Sequence, residues 1–322
     1  MNNFSLNIEE GILRIAKKYN ITLDEARILY FGIMHSLKGE FDNAIIIYNE
    51  YLEKQSSPTL FGARGEAYLK KGDYDKAIND FNIALKLNNY ETDAYFSRAE
   101  AYRELGKYDQ AIEDYSSTLK LNQNYFAALN NRALIYFEQN KYQEAINDYT
   151  TILKEAKNQD SFDITYENRG DVYEKIGNYD MAIEDYTKSI NFNSRNIKVL
   201  RKRGLMYIKT GNLDLAINDV NKAIEIDPSN SINFHMRAGI YDLKRDYNHA
   251  IEDLSSAINI DNTFTDAFLC RGNTYLKMNQ YDKAIKDYDV ILKLKPRADG
   301  LKNAHEIAIE MKNYAIEEKN KK

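Results

Sequence analysis

Apolar positions recur along this chain at helical spacing, in short blocks separated by turns. Residues 92–105 (TDAYFSRAEAYREL) place Ala94, Tyr95, Ala99 and Tyr102 on one helix face. Gly106-Lys107-Tyr108 reads as a turn, where glycine takes positive φ at little cost. Residues 109–121 (DQAIEDYSSTLKL) predict a second amphipathic helix carrying Ala111, Ile112, Tyr115 and Leu119 on one side. Small residues at 99 and 111 let the two helices approach closely. Neither helix buries its apolar stripe alone, so each pair must stack on the next.

The same block returns down the chain. The alanine of an AIxD-like segment stands at 44, 77, 111, 145, 182, 216, 250 and 284, so the period is 33, 34 or 37 residues and mostly 34. Twelve residues before each alanine is a Gly or Ala: Gly32, Gly65, Ala99, Ala133, Gly170, Gly204, Ala238 and Gly272. Nine before is a tyrosine in all copies but the first, which has His35. Three before is an aromatic, or Leu213 in the sixth copy.

Small, Tyr, aromatic and Ala positions at these offsets resemble the tetratricopeptide repeat. The resemblance covers residues 25–298 as eight copies, 25–57, 58–91, 92–125, 126–162, 163–196, 197–230, 231–264 and 265–298. It implies an all-α, right-handed superhelical solenoid of antiparallel helix pairs, with the first helix of each pair on the concave side. Residues 1–24 are expected to hold a capping helix over 7–19. Residues 299–322 are expected to hold another over 299–318, with Leu301, Ala304 and Ile307 on its apolar face and a frayed EEKNKK tail. Three extra residues fall within 154–163 (KEAKNQDSFD), which reads either as a longer helix or loop, or as a flexible joint between copies 1–4 and 5–8.

Composition narrows the function. The 322 residues carry 44 Lys+Arg against 49 Asp+Glu, a net charge of −5, which argues against a general nucleic-acid binder. One cysteine, Cys270, excludes a disulfide framework and multi-cysteine metal sites, and the four histidines form no ligand-spaced cluster. Neither a secretory signal nor a spanning helix is legible, so the expected compartment is the cytoplasm. No phosphate loop, nucleophile elbow or metal motif stands out, and no cofactor or intrinsic catalysis is expected.

Much of the unusual chemistry reads as scaffold. Eighteen of the 26 tyrosines fall on repeat positions, five of them inside second helices: Tyr48, Tyr115, Tyr149, Tyr186 and Tyr288. An arginine precedes the small residue in copies two to eight (Arg64, Arg98, Arg132, Arg169, Arg203, Arg237, Arg271). Sixteen residues on from each stands an aspartate. Copy one lacks both, having Phe31 and Ile47. Joint presence and joint absence predict an ion pair inside each repeat.

Binding is expected where the copies differ, on first-helix positions facing the groove. Copies two and three supply Glu66, Lys70, Glu100 and Arg103, a mixed and somewhat acidic set. Copies four to six supply Asn130, Asn131, Asn168, Lys198, Arg201 and Lys202, with six basic residues and no acid between Arg195 and Gly211. Asn131 and Asn168 resemble a short form of the asparagine ladder of O-GlcNAc-transferase repeats. Asn168, Lys198 and Lys202 are similar to part of the carboxylate clamp of chaperone-binding repeats, although Asn130 and Leu134 depart from it. The expected function is a protein–protein interaction scaffold that holds an extended or helical peptide through these six residues. The partner is expected to be acidic or to end in a free carboxylate. The alternatives are a chaperone-linked adaptor, a regulatory subunit of an enzyme complex, or a self-assembling protein. The oligomeric state is open.

Overall fold

A computed structural model describes residues 2–89, 91–294 and 303–321. Its described residues form eighteen α-helices in tandem. A leading helix, α1 (Asn2–Tyr19), is followed by the pairs α2 (Leu23–Leu37) with α3 (Phe41–Leu52), α4 (Pro58–Lys71) with α5 (Tyr74–Leu87), α6 (Thr92–Glu104) with α7 (Tyr108–Leu121), and α8 (Phe126–Glu138) with α9 (Tyr142–Glu155). The second half holds α10 (Phe162–Lys175) with α11 (Tyr179–Phe192), α12 (Ile197–Lys209) with α13 (Leu213–Ile226), α14 (Ser231–Leu243) with α15 (Tyr247–Ile260), and α16 (Thr265–Lys277) with α17 (Tyr281–Lys293). A terminal helix, α18 (Ala304–Asn320), packs on α16 and α17.

The turn inside every pair is built on one residue with positive φ. These are Gly39, Gly72, Gly106, Asn140, Gly177, Gly211, Arg245 and Asn279, in phase with the repeat. Glycine fits here because a Cβ in the left-handed region meets the following carbonyl. Arg245, at φ 61°, is the residue least suited to the position.

Second-helix rings seal six of the eight pairs, with Val220 and Leu254 in their place in the sixth and seventh. Tyr48, Tyr115, Tyr149, Tyr186 and Tyr288 are at most 1% exposed. At Gly32, Gly65, Gly170 and Gly272 the ring lies directly on the facing glycine: a Cβ on Gly272 would stand 2.6 Å from Tyr288 Cε1. The tyrosines on the first helices are half-buried.

The chain divides into two compact units, Met1–Lys157 and Asn158–Lys322. The division falls inside the 154–163 segment. Neither flanking helix absorbs the whole insertion: residues 156–161 connect α9 to α10, whereas four residues connect α7 to α8 and α11 to α12. An Asx turn shapes this connection, with Asp160 N donating to Asn158 Oδ1 at 3.1 Å.

Three expectations at the ends need correction. α1 begins at Asn2, not residue 7. α2 begins at Leu23, two residues ahead of the expected repeat boundary, because Thr22 caps the backbone N–H of Glu25 in a Thr-x-x-Glu sequence. α18 runs through the expected frayed tail to Asn320, held by Lys319 on Asp282 at 2.5 Å and Lys321 on Glu318 at 2.6 Å. Leu301 lies outside the described residues.

Candidate functional site

The first helices of successive repeats touch one another: α2 with α4, α4 with α6, and α14 with α16. The inner surface of each unit is therefore made of first helices.

Behind that surface runs the arginine ladder. In all seven pairs the guanidinium Nε and Nη2 donate to the two carboxylate oxygens of the aspartate sixteen residues on, at 2.6–2.9 Å. This fork geometry is the bidentate one that only arginine offers. The aspartates are 0–9% exposed. The remaining nitrogen, Nη1, reaches back to the preceding repeat, a contact the sequence pattern had not suggested. Arg64 donates to Asn49, Arg98 to Asn82, Arg132 to Ser116, Arg203 to Thr187, Arg237 to Asn221 and Arg271 to Ser255, at 2.5–3.0 Å. Asn49 is why Arg64 has a neighbour in repeat one although that repeat lacks the aspartate. At the far end Asp289 occupies the receiving position, and Lys312 of α18 donates to it at 2.6 Å.

A second ladder lies on the inner face. The residue two before the small position donates to the residue one after it in the preceding repeat. Ser97 Oγ donates to Glu66, Asn131 Nδ2 to Glu100 Oε1 at 2.8 Å, and Lys202 Nζ to both oxygens of Asp171 at 2.7 Å. Second-helix phenols add to two rungs: Tyr115 donates to Glu100, and Tyr186 donates to Asp171 at 2.7 Å and to Glu174 at 2.9 Å. Phe81 stands in the matching place behind Glu66 and has no hydroxyl.

The six expected ligand contacts fall on this ladder or beside it. In the first unit, Asn130 donates to Asn131 Oδ1 at 3.1 Å, and Asn131 is itself engaged with Glu100. In the second unit, Lys202 is held by Glu167 and Asp171, and Lys198 by Glu167 at 2.8 Å. Burial pushes the Glu167 carboxyl up, but hydrogen bonds from Lys198 and Lys202 outweigh it and hold the group below its ordinary value. The sequence reading of an acid-free basic face therefore needs revision. Glu167 and Asp171, from the neighbouring first helix, pair with Lys198 and Lys202 on that face. Asn168 is half-buried, and Arg201 is half-buried with no ion pair among the described residues.

An opening of a different kind is in the first unit. A cavity of about 500 Å³ lies among α2, α4 and α6, with Tyr19 and Tyr125 in its lining. Missing side chains create it. Gly62 and Ala63 stand where the next repeat has Phe96 and Ser97, and a Cβ on Gly62 would meet nothing within 4 Å. Leu29, Ile33, Leu37 and Phe96 supply apolar wall, with Leu37 73% exposed. Glu66, Glu91, Asp93 and Glu100 supply four carboxylates against one lysine, Lys70. Burial pushes the Glu66 carboxyl up, opposed by the Ser97 hydroxyl and Lys70 and reinforced by Asp93 and Glu100. Burial and the Asp93 carboxylate also raise the Tyr125 phenol to about 12.

Models of the tetratricopeptide repeat match residues 63–117, 97–161, 165–196, 197–230 and 265–298, well over half of the chain. The chain belongs to the tetratricopeptide repeat family. Family members of this fold are protein–protein interaction scaffolds. The chain is 39% identical over 61 residues to mouse tetratricopeptide repeat protein 12, and 42% identical over 60 residues to the human protein. Those stretches cover 19% and 18% of this chain and only 9% and 8% of those proteins. Among solved structures it resembles the C-terminal part of a repeat protein from Cytophaga hutchinsonii, with TM-score 0.64 and 22% identity over 76% of this chain and 97% of that one. A repeat protein from Parabacteroides merdae gives TM-score 0.50 and 21% identity, over 84% of this chain and 98% of that one. Both show the fold, an all-α solenoid of antiparallel helix pairs.

One pair on the inner face has the outline of a reactive site and lacks its chemistry. Cys270 Sγ is 3.4 Å from His235 Nε2 in the second unit. Burial pushes the thiol up to about 11 and lowers the imidazole, so it favours the neutral form of both groups. Among the described residues, no helix is long and apolar enough to cross a membrane, and no group of three or more His, Cys, Asp or Glu side chains could hold a metal ion.

Proposed function

We propose that this repeat protein is a scaffold that holds an extended or helical segment of a partner protein on the inner face of its first unit. The supporting observation is the cavity left by Gly62 and Ala63 between three first helices. It combines apolar wall with polar groups on a rigid helical frame, as a peptide site requires. The chain acts by binding and carries out no reaction of its own in this reading.

Repeats five and six, through Lys198, Arg201 and Lys202, are a second site in this proposal. Its support is Arg201, which lacks an ion pair among the described residues, beside Lys198, which is 66% exposed. An acidic segment or a terminal carboxylate there would have to compete with Glu167 and Asp171 for Lys202, so the carboxylate-clamp alternative is the weaker fit.

Selection of random twelve-residue peptides against the intact chain tests the main reading. Enriched peptides are expected to protect α2, α4 and α6 from hydrogen exchange, and to be lost with Gly62→Leu, which fills the cavity. Absence of enrichment, or peptides indifferent to Gly62→Leu, would sink it.

A further inference from the structure

The inner-face ladder repeats the same geometry with different donors, and the comparison shows what one rung lacks. In the second unit Asp171 receives an ammonium from Lys202 and a phenol from Tyr186. In the third repeat Glu100 receives the Asn131 amide, the Tyr115 phenol and, at 3.3 Å, Arg103 Nη2. Glu66 occupies the equivalent place in the second repeat and receives a single neutral hydroxyl, from Ser97. Ser97 stands where Lys202 stands and carries no charge. Phe81 stands where the tyrosines stand and has no hydroxyl.

Glu66 also lines the cavity, together with the apolar groups Ile33 and Phe96. Lys70, Asp93 and Glu100 all lie near enough to act on it electrostatically. The cations around it do not fill the place. Lys70 is exposed and forms no ion pair among the described residues, Lys18 acts on Asp93, and Arg103 binds Glu100 and Glu104.

We propose that the groove of the first unit takes a peptide segment carrying a lysine flanked by apolar side chains, the lysine ammonium donating to Glu66 as Lys202 donates to Asp171 in the second unit. This rests on the scaffold reading above and adds the chemistry of the partner. The apolar neighbours of the lysine lie against Leu37, Ile33 and Phe96. The four carboxylates of the lining attract a cationic segment and disfavour an acidic one.

Three labelled peptides of sequence Gly-Leu-Leu-X-Leu-Gly, acetylated and amidated so that X carries the only possible charge, test this by fluorescence anisotropy. X is lysine, norleucine or glutamate, and the proteins are the intact chain, Glu66→Gln and Gly62→Leu, each confirmed as folded by circular dichroism. The lysine peptide is expected to bind the unmodified chain about ten-fold more tightly than the norleucine peptide, the scale of one charge-assisted hydrogen bond. That advantage is expected to vanish in Glu66→Gln, while Gly62→Leu weakens both peptides. Equal binding of lysine and norleucine peptides, or an advantage that survives Glu66→Gln, overturns the inference. If Gly62→Leu still weakens those peptides, the scaffold reading stands without it. Binding of none of the three peptides overturns the inference as well, and the random-peptide selection then decides the scaffold reading by itself.

Discussion

Arg132 Nη1 donates to Ser116 Oγ at 2.8 Å, from the first helix of the fourth repeat to the second helix of the third. The same guanidinium grips Asp148 within its own repeat through Nε and Nη2. One side chain thus fixes the two helices of a pair and the step to the preceding pair. Five further arginines repeat the arrangement.

The two halves of that contact differ in energy. Arg132→Ala leaves Asp148, only 6% exposed, without its counter-charge, and is expected to destabilise the chain by about 3–5 kcal/mol. Ser116→Ala removes one acceptor and is expected to cost about 1 kcal/mol. Arg132→Met combined with Asp148→Leu removes both charges and is expected to recover most of the loss. Thermal melts of the three variants and the parent check this. An Arg132→Ala melt identical to that of the parent would show that the pair orients nothing.

Arg245 is the misfit among the eight turn residues, since five of the others are glycine and two are asparagine. A side chain at φ 61° costs about 1–2 kcal/mol relative to glycine. Part of that is offset because glycine loses more freedom on folding. Arg245→Gly is expected to raise stability by about 1 kcal/mol, read as a higher urea midpoint at unchanged slope. Arg245 is exposed, so no packing is lost in the exchange. A lower midpoint would mean that the arginine contributes something its backbone conformation does not reveal.

Two glutamates on the inner face are expected to respond to pH with opposite sign. Glu167 titrates below the ordinary 4.5 in the fold, so its contribution is present above that value and fades as pH falls through its folded value. Glu167→Gln should therefore be less stable than the parent at pH 7, with the gap closing in acid. Glu66 titrates above 4.5, so its ionisation works against the fold, and the stability present in acid is lost as pH rises through its folded value. Glu66→Gln should be more stable than the parent at pH 7, again with the gap closing in acid. Denaturation midpoints from pH 3 to pH 7 separate the two cases. Curves of the same sign would contradict the electrostatic assignment of one residue. A carboxylate that weakens the fold at neutral pH is also what a site awaiting a cation would show.

The contacts legible in the sequence are those inside one repeat. The period located the helix pairs, and the joint absence of arginine and aspartate from the first copy placed Arg64 with Asp80 before any coordinates. The buried tyrosines of the second helices followed from their phase. These contacts recur at a constant separation of sixteen residues, because the two helices of a pair meet through one short turn of fixed geometry. The acidic tendency of copies two and three was also visible as letters.

Contacts between repeats, and the empty space, had to wait for the tertiary structure. The spacing of Lys202 from Asp171 is visible in the chain, but whether two first-helix faces meet there depends on how one pair stacks on the next. That stacking brought Lys198 and Lys202 of an apparent basic face onto Glu167 and Asp171. It also decided that Gly62 and Ala63 leave about 500 Å³ open beside Glu66. A cavity comes from side chains that are absent, on helices brought together only by packing. Periodicity along the chain records the residues that are present.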